Sequence, residues 1–379
     1  ILNKNNGETK VSNVYLGKEY ENKLCEILYE YDKRKLVGSP KILGLDGKEF
    51  ANEFLVWLGI AKYPRRKLIS ANNEYGNFAI KHFPYNKKKI YGYDASLTSF
   101  EKLERKGYWL NEIKVETIED LENILKNNSN ENILYWLNSD NRIIEPAETN
   151  PNSQIKFSIS SKQNYAHIYN RDLPSYLFWK IKLTNWIKTE TEIITKPSDC
   201  CISKTITKDF SPFIEIPKIN YEEQLFKDAK ISKEDITYFL LKVGVNKDIS
   251  DFSTDTIYAM LSNLHEIDKV GKKAKLIYRE LVENLDDKKI DQNSYEYKSF
   301  IDSGYVFCKK NGDYSYETVK NVYYVEDKTF GEDIVNQFYT IEIDRRKGAK
   351  KVNTLFGVMP LENLEFNLML SIVLLLKPF

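Results

Sequence analysis

The sequence predicts an α+β protein assembled from several modules, and three observations lead there. Apolar residues recur at helical spacing through the N-terminal and central regions. Short extended runs flank a polar turn between the helices and read as β-hairpins. The C-terminal region alternates β-branched and aromatic residues with the period of strands. A chain of 379 residues is longer than one hydrophobic core comfortably serves, so two or three domains are expected. The boundaries fall at 145–153, EPAETNPNS, which is turn-rich and poor in apolar residues, and at the polar stretch 286–294, DDKKIDQNS. The expected layout is a mixed helical and strand module over 1–147, a hairpin plus helical module over 148–290, and a strand-rich module over 291–379.

Taken in order, residues 18–31 place Tyr20, Leu24, Ile27, Leu28 and Tyr31 on one helical face, with Glu19, Glu21 and Lys23 between them. Gly38, Pro40, Gly44 and Gly47 turn the chain before a second helix, 49–58, which Gly59 should end as a left-handed C′ residue. Residues 96–106 and 115–126 read as charged amphipathic helices, the second opened by Thr117 with Glu119 and Asp120 in its first turn. The Asn/Ser-rich stretch 127–130 precedes a helix bearing Trp136. Residues 172–183 are apolar, with Tyr176, Leu177 and Trp179, and NWIKTETEIITKP after them reads as two short strands around a polar turn. Ser232 is the expected N-cap of a helix reaching Val243, with Asp235 completing an acidic capping box. Two further helices are expected over 254–265 and 271–285, then mostly strand from Gly304 to Phe379.

One stretch echoes another. Phe54-Leu55-Val56-Trp57-Leu58-Gly59-Ile60-Ala61-Lys62 and Phe239-Leu240-Leu241-Lys242-Val243-Gly244-Val245-Asn246-Lys247 both run from a helix end through glycine and an apolar residue to lysine. Two readings stand: convergence on a common glycine cap, or a degenerate repeat of one helical module in an elongated chain.

Composition bounds the function. Lys and Arg number 56 against 55 Asp and Glu, a net charge of +1, so a polyanion site must come from local clustering. Apolar residues at 42% and aromatics at 13% supply cores and exclude a wholly disordered chain. Cys25, Cys200, Cys201 and Cys308 are scattered as reduced intracellular thiols are, which makes the cytoplasm the expected compartment. The adjacent Cys200 and Cys201 suit neither a standard disulfide nor a CxxC knuckle, and buried packing is expected for them. The apolar run 366–376, FNLMLSIVLLL, is too short for a bilayer span, so no membrane partner is expected. Ile1 stands where an initiator Met would be, which reads as a fragment or as joined segments.

Signatures of catalysis are thin. GxxxxGK[ST] and GxGxxG are missing, and Asp46-Gly47-Lys48 lacks the second glycine of a DxGxG nucleotide motif. His82, His167 and His265 have no ligand spacing that suits zinc, no GxSxG elbow occurs, and no metal or catalytic residue is assigned. Glu326-Asp327-Lys328 after the run Val322 to Val325 matches the carboxylate and lysine pattern of a metal-dependent nuclease, with a solvated turn as the alternative. Two basic patches are candidate nucleic-acid contacts. Lys81, Lys87, Lys88 and Lys89 interleave with aromatic rings including Tyr91, which supplies both phosphate neutralisation and stacking. Arg345, Arg346, Lys347, Lys350 and Lys351 surround Gly348 in what reads as one cationic loop. Arg65-Arg66-Lys67 is a third, weaker cluster.

The middle region carries a resemblance. Leu183-Thr184-Asn185-Trp186-Ile187-Lys188-Thr189, a turn, and Lys196-Pro197-Ser198-Asp199-Cys200 resemble the element x-x-W-(I/L)-P-T, turn, x-(K/R)-P-S-(D/E)-(C/L) that follows the ATPase domain in large sacsin-like and NO VEIN-like proteins. The runs from Phe210 to Pro217, from Asp248 to Tyr258, Val322 to Val325 and Leu355-Phe356-Gly357-Val358 are similar to that pattern too. Lys188 stands where the pattern has proline, and Glu190-Thr191-Glu192 lacks its turn glycine. Such proteins carry an N-terminal Bergerat-fold ATPase, and bacterial relatives lie in antiviral defence loci. The resemblance therefore implies a non-catalytic scaffold and recognition segment, with ATP and magnesium bound in an ATPase domain ahead of Ile1 and no cofactor in this chain. The implied partners are other domains of the same polypeptide, or a target protein or nucleic acid in anti-phage defence. The alternative from the residues themselves is a metal-dependent nuclease or DNA-binding protein using the C-terminal module and the basic loops.

Overall fold

The computed structural model describes residues 1–70, 74–75, 108–110, 114–140, 155–161, 165–170, 175–203, 206, 208–325, 331–343 and 349–361. The fold is α+β, as the sequence predicts. Its residues group into two compact units, Ile1–Ser198 with Lys218–Val245, and Asp199–Pro217 with Asn246–Phe379.

In the first unit, the extended residue Tyr15 lies between two parallel neighbours, Leu36 and Ala61. The helix Lys23–Leu28 (α1) follows a single 3-10 turn over Lys18–Tyr20. The single helix expected over 18–31 is divided because Glu21 takes a left-handed backbone, φ 59°, and Asn22 then caps α1 through the N–H of Cys25. The helix Ala51–Trp57 (α2) buries Ala51 and Leu55 against Val14, Leu16, Tyr20, Val37 and Ile60. Strand β1, Arg66–Ser70, pairs antiparallel with β3, Lys114–Ile118, while β2, Tyr108–Leu110, lies beside β4, Ile155–Ser161, and β4 beside β5, Tyr165–Asn170.

Residues 115–118 correct the sequence reading. They form strand, not the start of a helix, and Thr117 is buried in it. The helix, Leu121–Asn127 (α3), begins after Asp120. Val, Thr and Ile are β-branched and gain from pairing with β1, which outweighs the charge pattern that suggested a helical first turn. Ser129 caps the next helix, Asn130–Ser139 (α4), through the N–H of Asn132, and Trp136 is buried on it. The helix Tyr176–Leu183 (α5) leads into the hairpin of β6, Ile187–Lys188, and β7, Ile194–Thr195, where two short strands were expected. Helices Gln224–Ala229 (α6) and Lys233–Val243 (α7) close the unit. The Ser232 and Asp235 capping box is formed as predicted.

The second unit packs helices Thr254–Ile267 (α8), Lys272–Asn284 (α9) and Tyr295–Ser303 (α10) beside a five-stranded sheet. Its strands are β8, Tyr305–Lys310; β9, Asp313–Thr318; β10, Val322–Tyr324; β11, Tyr339–Ile341; and β12, Met359–Pro360, in the order β12-β10-β11-β8-β9. The β8–β9 turn is Asn311-Gly312 with φ of 51° and 92°, the two left-handed positions that this dipeptide supplies. β10 runs parallel to β11 and β12, with helices Glu332–Val335 (α11) and Ala349–Phe356 (α12) in the connections. The C-terminal region is thus less purely strand than its alternating pattern predicts. Met260, Leu261, Ile277, Leu281, Phe300, Phe307, Leu355 and Phe356 belong to one buried cluster.

The echo in the sequence extends into geometry. Gly59 and Gly244 both have left-handed φ, 97° and 105°. Ile60 and Val245 each donate back to the carbonyl five residues earlier, Leu55 and Leu240, both at 3.0 Å. These are the paired bonds of a Schellman cap with its apolar residue folded onto the last turn. The next residue in each copy then forms a parallel bridge, Ala61 with Tyr15 and Asn246 with Cys201. Each bridged segment has a second parallel neighbour, Leu36 beside Tyr15 and Glu215 beside Cys200. In both copies, then, the chain passes from the glycine cap straight into a bridged, extended residue, which a shared glycine cap alone does not require.

Candidate functional site

The stretch that carries the resemblance begins at Trp186, which is buried and donates its indole Nε1–H to the Ile181 carbonyl at 2.9 Å, fixing α5 to the hairpin. Ile187 is fully buried, and Thr189, also buried, closes the turn by donating from its N–H and its hydroxyl to the Ile193 carbonyl. Both positions that differ from the resembled pattern have a visible use. At Lys188 the main-chain N–H donates to Asn130 Oδ1 at 2.9 Å, a bond that proline cannot make. Asn130 Nδ2 donates in turn to the Lys188 and Lys218 carbonyls at 2.7 and 2.8 Å. Glu192, in the turn that lacks the pattern's glycine, occupies the left-handed region at φ 65°, and its carboxylate pairs with Lys188 and Lys218. The Lys218 and Lys188 bonds hold the Glu192 carboxyl down to about 2.

Pro197 is buried at the start of a 3-10 turn through Asp199. Cys200 and Cys201 are buried, as expected, and Cys25 and Cys308 are too. Burial raises all four thiols, Cys25 and Cys308 to about 12 and Cys201 to about 11, so none is a ready nucleophile.

Most of the charged candidates lie outside the described residues: Lys81, Lys87, Lys88, Lys89 and Tyr91, then Arg345, Arg346 and Lys347, and the triplet Glu326, Asp327, Lys328. Lys350 and Lys351 are on α12, not in a loop, with Lys350 exposed and Lys351 half-buried. Of the weaker cluster, Arg66 faces inward, bonded to Glu116 at 2.8 Å and to the buried Asp140. Arg65 donates to the Val11 and Gly59 carbonyls. These two guanidiniums hold strands and turns together. His265 stacks on Tyr305 with ring centroids 4.5 Å apart. Among the described residues no group of three His, Cys, Asp or Glu is placed to hold a metal ion, and no helix is long and apolar enough to cross a membrane.

Sequence reasoning missed a cleft of about 640 Å³ in the second unit, at the carboxyl ends of the adjacent parallel strands β10 and β11. Val325, Glu332, Asn336, Thr340, Glu342 and Ile343 contribute to its lining. Lys275 binds the Glu342 carboxylate at 2.9 Å, and the Tyr314 hydroxyl donates to it at 2.8 Å. The mixture of one engaged carboxylate, amide and hydroxyl groups suits a polar ligand held by hydrogen bonds. Strands were legible here, but their parallel order was not, and the cleft follows from that order.

Comparison with protein-family models, with curated proteins and with solved structures gave no match to this chain.

Proposed function

We propose that this chain is a scaffold and recognition segment of a large sacsin-like or NO VEIN-like protein, coupling motion of a Bergerat-fold ATPase elsewhere in the polypeptide to target sensing in cytoplasmic anti-phage defence. One observation carries the reading. In the stretch that bears the resemblance, Trp186, Ile187, Thr189, Pro197 and Cys200 are all buried, so it has the chemistry of a structural element. A buried stretch of this kind serves architecture, as a force-transmitting segment requires. The matching glycine caps at Gly59 and Gly244 add support, since repeated units offer successive binding surfaces. The test compares ATP turnover by residues 1–379 with turnover by a polypeptide that also carries the expected ATPase domain ahead of Ile1. Turnover only in the longer protein, altered by Trp186→Ala, supports the proposal; turnover by residues 1–379 alone overturns it.

A second reading, a metal-dependent nuclease, is favoured by the cleft at the ends of β10 and β11, because ligands of parallel sheets bind at strand carboxyl ends. Glu326-Asp327-Lys328 follows the cleft residue Val325 directly in sequence. Cleavage of DNA with magnesium or manganese that is lost in Asp327→Ala would support it, and cleavage unchanged by that substitution would remove it.

A further inference from the structure

The hairpin register fixes which backbone groups of β9 face away from β8. The two-residue Asn311-Gly312 turn makes Lys310 and Asp313 a mutually hydrogen-bonded pair, and such pairs alternate along the ladder through Cys308 with Ser315 and Val306 with Glu317. The intervening residues point outward: on β8, the N–H of Phe307 goes to the Tyr278 hydroxyl instead of β9. On β9 the outward residues are Tyr314, Tyr316 and Thr318. The Thr318 N–H is taken by its neighbour Glu317 Oε1 at 2.9 Å. The N–H and C=O of Tyr314 and Tyr316 have no hydrogen-bond partner among the described residues, and Asp313, Tyr314 and Ser315 are exposed. Proline, lysine and a bulge are missing from this strand, so its charge comes from Asp313 and Glu317 alone.

The charges on this edge select its occupant. Self-pairing that used all four free groups would set Tyr314 of one copy against Tyr316 of the other. That register also puts Asp313 opposite Glu317 twice, and like charges directly opposite repel. Lys310, opposite Asp313 in the ladder, lies over the Tyr339 ring at 4.5 Å. Asp313 makes no ion pair among the described residues. An incoming strand with basic residues four apart would instead meet Asp313 and Glu317, whose Oε1 already accepts from Thr318 and Asn321, while its main chain closed the ladder. We propose that the outer edge of β9, unpaired among the described residues, is a docking strand for an extended, basic segment of a partner protein, captured by β-strand addition. The inference goes beyond the ATPase-associated reading and does not depend on it.

The test measures fluorescence anisotropy of a labelled synthetic peptide of alternating Thr and Val with lysines four residues apart, titrated with the full chain. The same peptide with glutamates in place of the lysines should bind about tenfold more weakly. Tyr314→Pro, which removes one outward N–H, should lower the lysine peptide's affinity, while Tyr314→Phe leaves it unchanged. Asp313→Lys should weaken that peptide and, because it turns the repulsive self-pair into an attractive one, shift the chain towards a dimer in sedimentation. Equal binding of both peptides, no binding of either at millimolar concentration, or a folded Tyr314→Pro variant with full affinity would overturn the proposal.

Discussion

Asn130 grips Lys188 by its backbone, accepting from its N–H and donating to its C=O, while the same amide nitrogen reaches the Lys218 carbonyl. One buried side chain thus ties the first turn of α4 to the hairpin and to the segment after residue 217. Asn130→Ala removes three bonds and leaves main-chain groups unpaired, which should cost about 2–3 kcal/mol in urea unfolding. Lys188→Pro should cost about 1–3 kcal/mol in the wild type and much less in the Asn130→Ala background, because its partner is already gone. Equal costs in both backgrounds would show that the bond contributes nothing.

Trp186 has two separable tasks, filling space and holding the Ile181 carbonyl. Trp186→Phe keeps most of the volume and loses the donor, for an expected cost of about 1–2 kcal/mol. Trp186→Ala should cost about 3–5 kcal/mol. A Phe variant as unstable as the Ala variant would assign the hydrogen bond, not packing, the dominant share.

The paired caps make a comparison of like with like. A Cβ at Gly59 would meet Val11 Cγ1 at 3.8 Å and one at Gly244 would meet Lys182 Cε at 3.3 Å, so neither clashes with backbone. The cost of alanine should then be the left-handed strain, about 1–2 kcal/mol, at Gly59, and similar at Gly244 once the end of the Lys182 side chain shifts by a few tenths of an ångström. Costs that differ by more than about twofold in thermal unfolding would mean the modules are not energetically alike.

Those caps were legible because glycine after an apolar helix face has few alternative meanings. The same holds for the Ser232 and Asp235 box and for the polar turn between Ile187 and Ile194. Legibility failed where a local signal had a tertiary competitor. Thr117 looks like an N-cap but sits in β3, where pairing with β1 decides its conformation. Glu21 gave no sign of a left-handed break within an otherwise helical pattern. Asn130 was invisible as a brace, since its three partners are far away in sequence, and the cleft beside β10 and β11 depends on a strand order that periodicity does not encode.

Burial of all four thiols predicts their reactivity. With each pushed above its usual range, the native chain at pH 8 should be almost inert to iodoacetamide, and denaturant should expose four labelling sites by mass spectrometry. Rapid native labelling of Cys200 or Cys201 would contradict the packing of that segment.

Glu192 offers a pH test with a definite sign. Bonds to Lys218 and then Lys188 lower its carboxyl from the ordinary 4.5 to about 2 in the folded chain. A depressed carboxyl contributes stability that is present above the unfolded value of 4.5 and lost as the pH falls from there towards 2. The group is fully exposed, so salt should weaken the effect. Side-chain 13C shifts should show Glu192 titrating well below free glutamate at low ionic strength and closer to it in 1 M salt. Glu192→Gly relieves the left-handed backbone and removes both ion pairs, so its thermal midpoint should exceed that of the wild type at high salt and at pH 2–3, where the pairs contribute least. A wild type that stays the more stable of the two under those conditions would place the value of Glu192 in something other than its charge.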